Sequence, residues 1–200
     1  MKAAHPEANT VELWFQDEMR IGQKGTLTRV WAPRGKRVEA VRDLRFGYVY
    51  IFGAVCPARD TGAAIIMPAV NVAAMNEHLA EISRCVAPAA HALVVLDGAG
   101  WHPKSGLDIP ANITLEFLPP YSPEINPVEE FWHELRRNHF HLRIFDTVED
   151  VIDACCDAWN AALDKTGFVR SVTGFSWLPL RHDQKCSLQF HACPNDGQRH

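Results

Sequence analysis

The chain has 200 residues, of which 47% are hydrophobic, which is enough for one well-packed core, so we expect a single domain. Its formal net charge of −4 and its pI of about 6.2 exclude the global positive field of strongly cationic nucleic-acid-binding proteins, so any basic surface must be local. The sequence shows neither an apolar run of membrane-spanning length nor a secretory signal, which predicts a cytoplasmic protein without a membrane partner.

The first predicted strand ends on an acidic residue. The segment VELWFQD alternates with a period of two, which places Val11, Leu13, Phe15 and Asp17 on one face. Asp17 therefore occupies a position where another hydrophobic residue is expected. Two interpretations stay open: a functional carboxylate, or a strand that ends there and lets the side chain reach water.

A locally basic segment follows this strand. Its cationic residues surround Trp31 and are Arg29, Arg34, Lys36, Arg37, Arg42 and Arg45. They are the best candidates for a surface that contacts a DNA backbone, although solvated protein surfaces often have the same composition.

The following elements predict a mixed α/β sheet flanked by helices. The segments GYVYIFGAV and AAIIMPAV are separated by turn residues and indicate a hairpin. Apolar residues at helical spacing predict a helix over 71–87 with Asn71 as its N-cap. The unbroken apolar run in HALVVLD is typical of a strand covered on both faces. A strand over 113–119 and helices over about 127–140 and 148–163 complete the pattern.

A second acidic residue, Asp97, lies at the carboxyl end of the apolar strand. The glycine-containing loop GAGWH follows it, and ligands of open α/β sheets gather at such strand ends. His102 in this loop is a candidate phosphate contact, with a solvated loop residue as the alternative. Tyr121 is a candidate for lining a substrate groove, and packing in a proline-rich turn is the equal alternative.

The third acidic residue, Glu129, lies in the first turn of the helix that begins after PPYSPEINP. Asn126 is a favourable N-cap, Pro127 suits the first helical position, and Glu129 falls three residues after the cap. Glu129 flanks the apolar stripe of this helix, whereas Glu130 lies nearly opposite it. The alternative for Glu129 is a purely structural capping box with Asn126.

Three carboxylates at a strand, a strand end and a helix start can converge on one edge of the sheet. Oxygen ligands of this kind suit Mg²⁺ or Mn²⁺, and clustering them without a cation is electrostatically costly. A pair of such ions about 4 Å apart can clamp a phosphodiester during hydrolysis. The residue pattern therefore predicts a two-metal site for phosphodiester chemistry.

Three segments, WFQDE, VVLDGAGWH and LPPYSPEINPVEEFWHELRR, resemble the three motif blocks of DDE transposases of the Tc/mariner superfamily, in particular its bacterial insertion-sequence branch. The segment RVWAPRGKR resembles the first hairpin of that family. The resemblance implies a ribonuclease-H-like fold with Asp17, Asp97 and Glu129 as the catalytic, metal-binding triad. It also implies cleavage and strand transfer at the ends of an insertion sequence, and a homodimer assembled on DNA.

The domain organisation expected on this basis has three parts: a flexible lead-in over 1–10, a catalytic domain over 11–177 and a polar, disordered tail over 178–200. No helix-turn-helix pattern precedes Val11, so we expect such a DNA-recognition module on a separate or upstream polypeptide. Two alternatives stay open. One is an inactive or split remnant that binds DNA without sequence preference, and the other is a different ribonuclease-H-like nuclease or resolvase.

Overall fold

A computed structural model of the chain describes residues 10–23, 34, 47–98, 106–119, 125–141 and 143–174. Within these ranges the strands are β1 Thr10–Gly22, β2 Tyr48–Cys56, β3 Thr61–Met67, β4 Ala90–Leu96 and β5 Ile113–Phe117. The α-helices are α1 Val72–Cys85, α2 Val128–Leu135, α3 Val148–Leu163 and α4 Phe168–Thr173, and a π-helical turn, Arg136–Phe140, continues α2.

The strands form one mixed sheet in the order β3-β2-β1-β4-β5. The pairs β3-β2 and β2-β1 are antiparallel, and the pairs β1-β4 and β4-β5 are parallel. Every residue of β4 is buried, as its unbroken apolar sequence predicted for a strand covered on both faces. The predicted hairpin is confirmed as β2-β3, and the predicted mixed α/β fold is confirmed with it.

Helices cover both faces of this sheet. On one face α1 buries Met75, Leu79 and Ile82 against Trp14 and Phe52. Asn71 caps this helix as predicted, since its side chain accepts a hydrogen bond of 2.9 Å from Ala74 N. On the other face α2 and α3 pack their apolar stripes onto the sheet beside α4. A core therefore lies on each side of β1, and the residues of β1 contribute alternately to the two.

Two predicted boundaries are wrong, for reasons that lie in distant partners. The first strand continues beyond Asp17 to Gly22, because antiparallel pairing with β2 extends to the pair Gly22–Tyr48. Asp17 therefore lies within a strand, and the interpretation of a strand that ends there is wrong. The fifth strand ends at Phe117 rather than at 119.

The expected N-cap role of Asn126 is also corrected. The helix begins at Val128 with Pro127 as its N-cap, and it has no side-chain capping hydrogen bond from that residue. Asn126 instead donates from Nδ2 to the backbone oxygen of Gln16 at 3.0 Å, while its Oδ1 accepts a long bond of 3.4 Å from Val128 N. The start of α2 is thus tied to β1, which a local capping pattern does not predict.

Two remaining expectations concern the ends of the chain and the membrane. Thr10, expected in the lead-in, begins β1, while residues 1–9 and the predicted tail over 178–200 lie outside the described residues. In the described part of the chain no helix has both the length and the apolar character needed to cross a membrane.

Candidate active site

The parallel register of β1 and β4 brings Asp17 and Asp97 to the same edge of the sheet. The two strands pair in register up to Phe15 and Val95, so each aspartate lies two residues beyond the same point. Side chains alternate along a strand, so each aspartate continues the face of the core residue two positions before it. Both side chains are only partly exposed. The two carboxylates therefore lie near each other, just beyond the last paired residues of β1 and β4. From Phe15 onward β1 pairs with β2.

The environment of Asp17 disfavours its charged form. Burial, followed by the negative charge of Glu129, raises the pKa of Asp17 from 3.8 to about 7, and the charge of Asp97 contributes in the same direction. Hydrogen bonds from the backbone of Glu18 and the side chain of Trp132 oppose this increase in pKa. Asp17 therefore interacts electrostatically with both of the other carboxylates that the sequence singled out.

Helix α2 supplies the third carboxylate. Glu129 and Glu130 both lie in its first turn and are exposed, whereas Phe131 and Trp132 are buried. Trp132 Nε1 donates a hydrogen bond of 3.1 Å to Oδ2 of Asp17. Residues three apart on a helix are surface neighbours, so Glu129 lies on the side of the helix from which Trp132 reaches Asp17.

Glu18 is a fourth acidic residue of this region and was not among the residues predicted from the sequence. Burial is the largest of the effects that together raise the pKa of Glu18 from 4.5 to about 8; a hydrogen bond of 2.7 Å from Gln16 Nε2 opposes the increase, and the charges of Asp17 and Asp97 add to it. Side chains alternate along a strand, so Glu18 lies on the same face of β1 as the buried Trp14. A carboxylate is unexpected on that face, which packs against the core. That position was the available indication in the sequence.

The chemistry of these donors fits a hard divalent cation. All three residues of the predicted triad offer carboxylate oxygens, which Mg²⁺ and Mn²⁺ prefer, and a bound cation would relieve the like-charge repulsion at Asp17. Among the described residues, no group of three or more His, Cys, Asp or Glu side chains is arranged to hold a metal ion. The charges of Asp97 and Glu129 both act on Asp17, and the strand register brings Asp97 close to it.

The residues proposed to contact DNA fall mostly outside the described ranges. Arg34 is described and is exposed in a turn. Lys36 and Arg37 of the basic segment, His102 of the loop after Asp97 and Tyr121 of the proline-rich turn lie outside the described residues.

The raised pKa values predict how stability depends on pH in the metal-free chain. A carboxyl group whose folded-state pKa exceeds its unfolded value stabilises the fold when protonated, and this stabilisation is lost as pH rises through the folded-state pKa. As pH rises from about 4 to about 8, ionisation of Asp17 and Glu18 should therefore progressively lower the free energy of unfolding. Allowing for partial exposure, Asp17 should account for on the order of 2 kcal/mol.

Urea unfolding of the wild type and of Asp17→Asn with a chelator present measures this contribution. The variant should be about as stable as the wild type at the acidic end and more stable at the alkaline end. Asp108→Asn, at an exposed loop carboxylate, is the matched control for the loss of one aspartate charge. A difference between Asp17→Asn and the wild type that does not change with pH would contradict the burial of Asp17.

The chain is similar in sequence to known proteins. The family model of the DDE superfamily endonucleases matches residues 12–152. The uncharacterized protein y4pE/y4sA of Sinorhizobium fredii is 48% identical over 130 residues, which are 65% of this chain and 96% of that protein.

Solved structures of Mos1 share the fold. The Mos1 mariner paired end complex with Mn aligns with a TM-score of 0.63 at 17% identity, over 82% of this chain and 52% of that chain. The Mos1 strand transfer complex aligns with a TM-score of 0.59 at 17% identity, over 82% of this chain and 50% of that chain. The chain therefore spans about half the length of the Mos1 chains it matches, and its sheet flanked by helices is the ribonuclease-H-like fold expected from its motifs. The family match and this fold together confirm the resemblance drawn from the three motif blocks: the chain belongs to the DDE superfamily of endonucleases.

Proposed function

We propose that this chain is the catalytic domain of a transposase, which cuts DNA strands at the ends of an insertion sequence and joins the freed 3′ hydroxyl to target DNA. The observation that carries the proposal is the convergence on Asp17: the register sets Asp97 beside it, and the charges of Glu129 and Asp97 both act on it. Solved relatives of this fold are a Mos1 paired end complex with Mg, a paired end complex with Mn and a strand transfer complex.

Asp17, Asp97 and Glu129 are proposed to hold two divalent ions, Mg²⁺ or Mn²⁺. When bound, such ions activate the attacking oxygen and stabilise the leaving oxygen of a phosphodiester. The two aspartates lie on the rigid central strand β1 and directly after the fully buried β4, so the sheet fixes their backbone positions. Glu129 extends from the exposed first turn of α2, where DNA has access.

The DNA partner is proposed to contact the chain through five further residues. Arg34, Lys36 and Arg37 supply positive charge for the phosphate backbone, and His102 and Tyr121 belong to the segments that follow Asp97 and precede Glu129. Phosphate contacts position DNA without reading its sequence, so recognition of element ends is assigned to a separate or upstream helix-turn-helix module. A homodimer assembled on DNA is the proposed active form.

The catalytic domain is proposed to cover residues 11–177, with 1–10 and 178–200 as flanking segments. All three carboxylates are present and electrostatically linked, which disfavours an inactive remnant.

The activity is tested with supercoiled plasmid DNA and an end-labelled oligonucleotide carrying a free 3′ hydroxyl. With Mn²⁺ or Mg²⁺ the chain should nick the plasmid and join the oligonucleotide to it, and a chelator should stop both reactions. Nicking that persists in excess chelator would contradict metal-dependent chemistry. A folded, DNA-bound chain that neither cuts nor joins DNA with any divalent ion would contradict the proposed function.

A further inference from the structure

We propose that Trp132 is a positioning residue for Asp17, whose carboxylate its indole N–H holds in one orientation for metal binding. The inference rests on the proposed function, because it takes Asp17 as a metal ligand. Glu129 lies on the same helix as Trp132, so Trp132 also sets how α2 approaches β1.

The donor of this contact is shielded from water. Trp132 Nε1 donates to Oδ2 of Asp17 at 3.1 Å, and the side chain of Trp132 is only 1% exposed. An indole N–H is a donor only, and a hydrogen bond to a carboxylate is stronger than one between neutral groups. Rotation of the carboxylate away from Trp132 would leave a buried donor unsatisfied, which is unfavourable. The tryptophan therefore restricts the carboxylate to orientations that keep Oδ2 on the indole.

A glycine in the neighbouring strand makes this approach possible. Gly53 of β2 lies directly opposite Asp17 in the antiparallel register. A Cβ atom at this position would lie 2.8 Å from Cζ2 of Trp132 and 3.0 Å from Cζ3 of Trp159, closer than side chains pack. The rings of Phe131 and Trp159 also pack against Trp132, at centroid distances of 5.8 Å and 5.9 Å. The indole is thus held in place independently of the hydrogen bond that it donates.

A second contact fixes the same helix on the other side of Glu129. Asn126 donates to the backbone oxygen of Gln16, the residue before Asp17, at 3.0 Å. The two anchors, Asn126 and Trp132, hold adjacent positions of β1 and bracket Glu129 along the chain. The packed indole therefore fixes both the rotamer of Asp17 and the distance at which Glu129 is presented to it.

The test measures Mn²⁺ affinity directly, by the loss of the electron paramagnetic resonance signal of free Mn²⁺ on titration with the full chain. Trp132→Phe removes the N–H donor and keeps an aromatic ring, and it should weaken Mn²⁺ binding by about tenfold or more, as loss of such supporting hydrogen bonds does at other metal sites. Trp159→Phe is the matched control, because it makes the same change in the adjacent ring of the same cluster, and its affinity should stay within about twofold of the wild type.

A second variant separates the hydrogen bond from packing. Benzothienylalanine at position 132 replaces the N–H by sulfur at nearly the same volume, and it should lose as much Mn²⁺ affinity as Trp132→Phe while keeping the packing of the aromatic rings. If the wild type binds Mn²⁺ and the benzothienylalanine variant binds it equally well, the positioning role is overturned and the proposed function stands. Equal losses in Trp132→Phe and Trp159→Phe would likewise assign the effect to packing. If the wild type itself binds no Mn²⁺, the proposed function fails together with this inference.

Discussion

Glu129→Gln should lower the rate of divalent-ion-supported plasmid nicking by on the order of a hundredfold or more, whereas Glu130→Gln should stay close to the wild type. Both glutamates are exposed in the first turn of α2, so exposure does not separate them. The negative charge of Glu129 raises the pKa of Asp17, and Glu129 precedes by three residues the Trp132 that contacts Asp17. Gln keeps the volume and removes the charge, so the change tests the carboxylate itself.

The adjacent glutamate is a stringent control because it has the same helix, turn and exposure. The helix has no capping hydrogen bond from its N-cap side chain, so we expect Glu129→Gln to unfold at a urea concentration close to that of the wild type. Normal nicking by Glu129→Gln, or loss confined to Glu130→Gln, would refute the assignment. A stability loss with an unchanged rate per folded molecule would instead support a structural role in the first turn.

Asp97→Asn is expected to lower the nicking rate by a similar factor, on the order of a hundredfold or more. Asp97 directly follows the fully buried β4, so the sheet holds its backbone, and its charge raises the pKa of both Asp17 and Glu18. Removing this charge also relieves repulsion, so the metal-free variant should be at least as stable as the wild type near neutral pH. Loss of rate without loss of stability is the expected combination.

Asp108→Asn provides the matched control for Asp97→Asn. It makes the same substitution at an exposed aspartate in the loop before β5, where Asp108 exchanges hydrogen bonds with Asn76. Its nicking rate should stay within a few-fold of the wild type. A rate that is near normal in Asp97→Asn, or lowered equally in both variants, would remove Asp97 from the proposed site.

The sequence predicted those features that depend on local pattern. The apolar run before Asp97 identified a fully buried strand, the turn residues between β2 and β3 identified a hairpin, and Asn71 identified the start of α1. The apolar stripe of α2 was also correct, since Val128, Phe131, Trp132 and Leu135 are all buried. Each of these features is determined by residues close together in the sequence, so a single segment is enough to predict it.

The features that the sequence did not reveal depend on partners far away along the chain. Strand β1 extends past Asp17 because β2 offers antiparallel partners. Asn126, which the local pattern predicted as a helix cap, donates a hydrogen bond to the backbone of Gln16, 110 residues away. The hydrogen bond between Trp132 and Asp17 spans 115 residues and needs space at Gly53, which no periodicity indicates. One general indication was available: a buried tryptophan usually finds an acceptor for its N–H.

Anomalous scattering from Mn²⁺ in crystals of this chain would show whether the three carboxylates bind metal, because it locates bound ions without requiring a substrate or a reaction. We predict peaks at the edge of the sheet where β1 and β4 diverge, with carboxylate oxygens of Asp17 and Asp97 among the ligands and Glu129 on the same ions. The peaks should disappear in Asp17→Asn crystals grown and soaked in the same way. A map with Mn²⁺ peaks only at other places, or with peaks at this edge that Asp17→Asn leaves unchanged, would contradict metal binding by Asp17, Asp97 and Glu129.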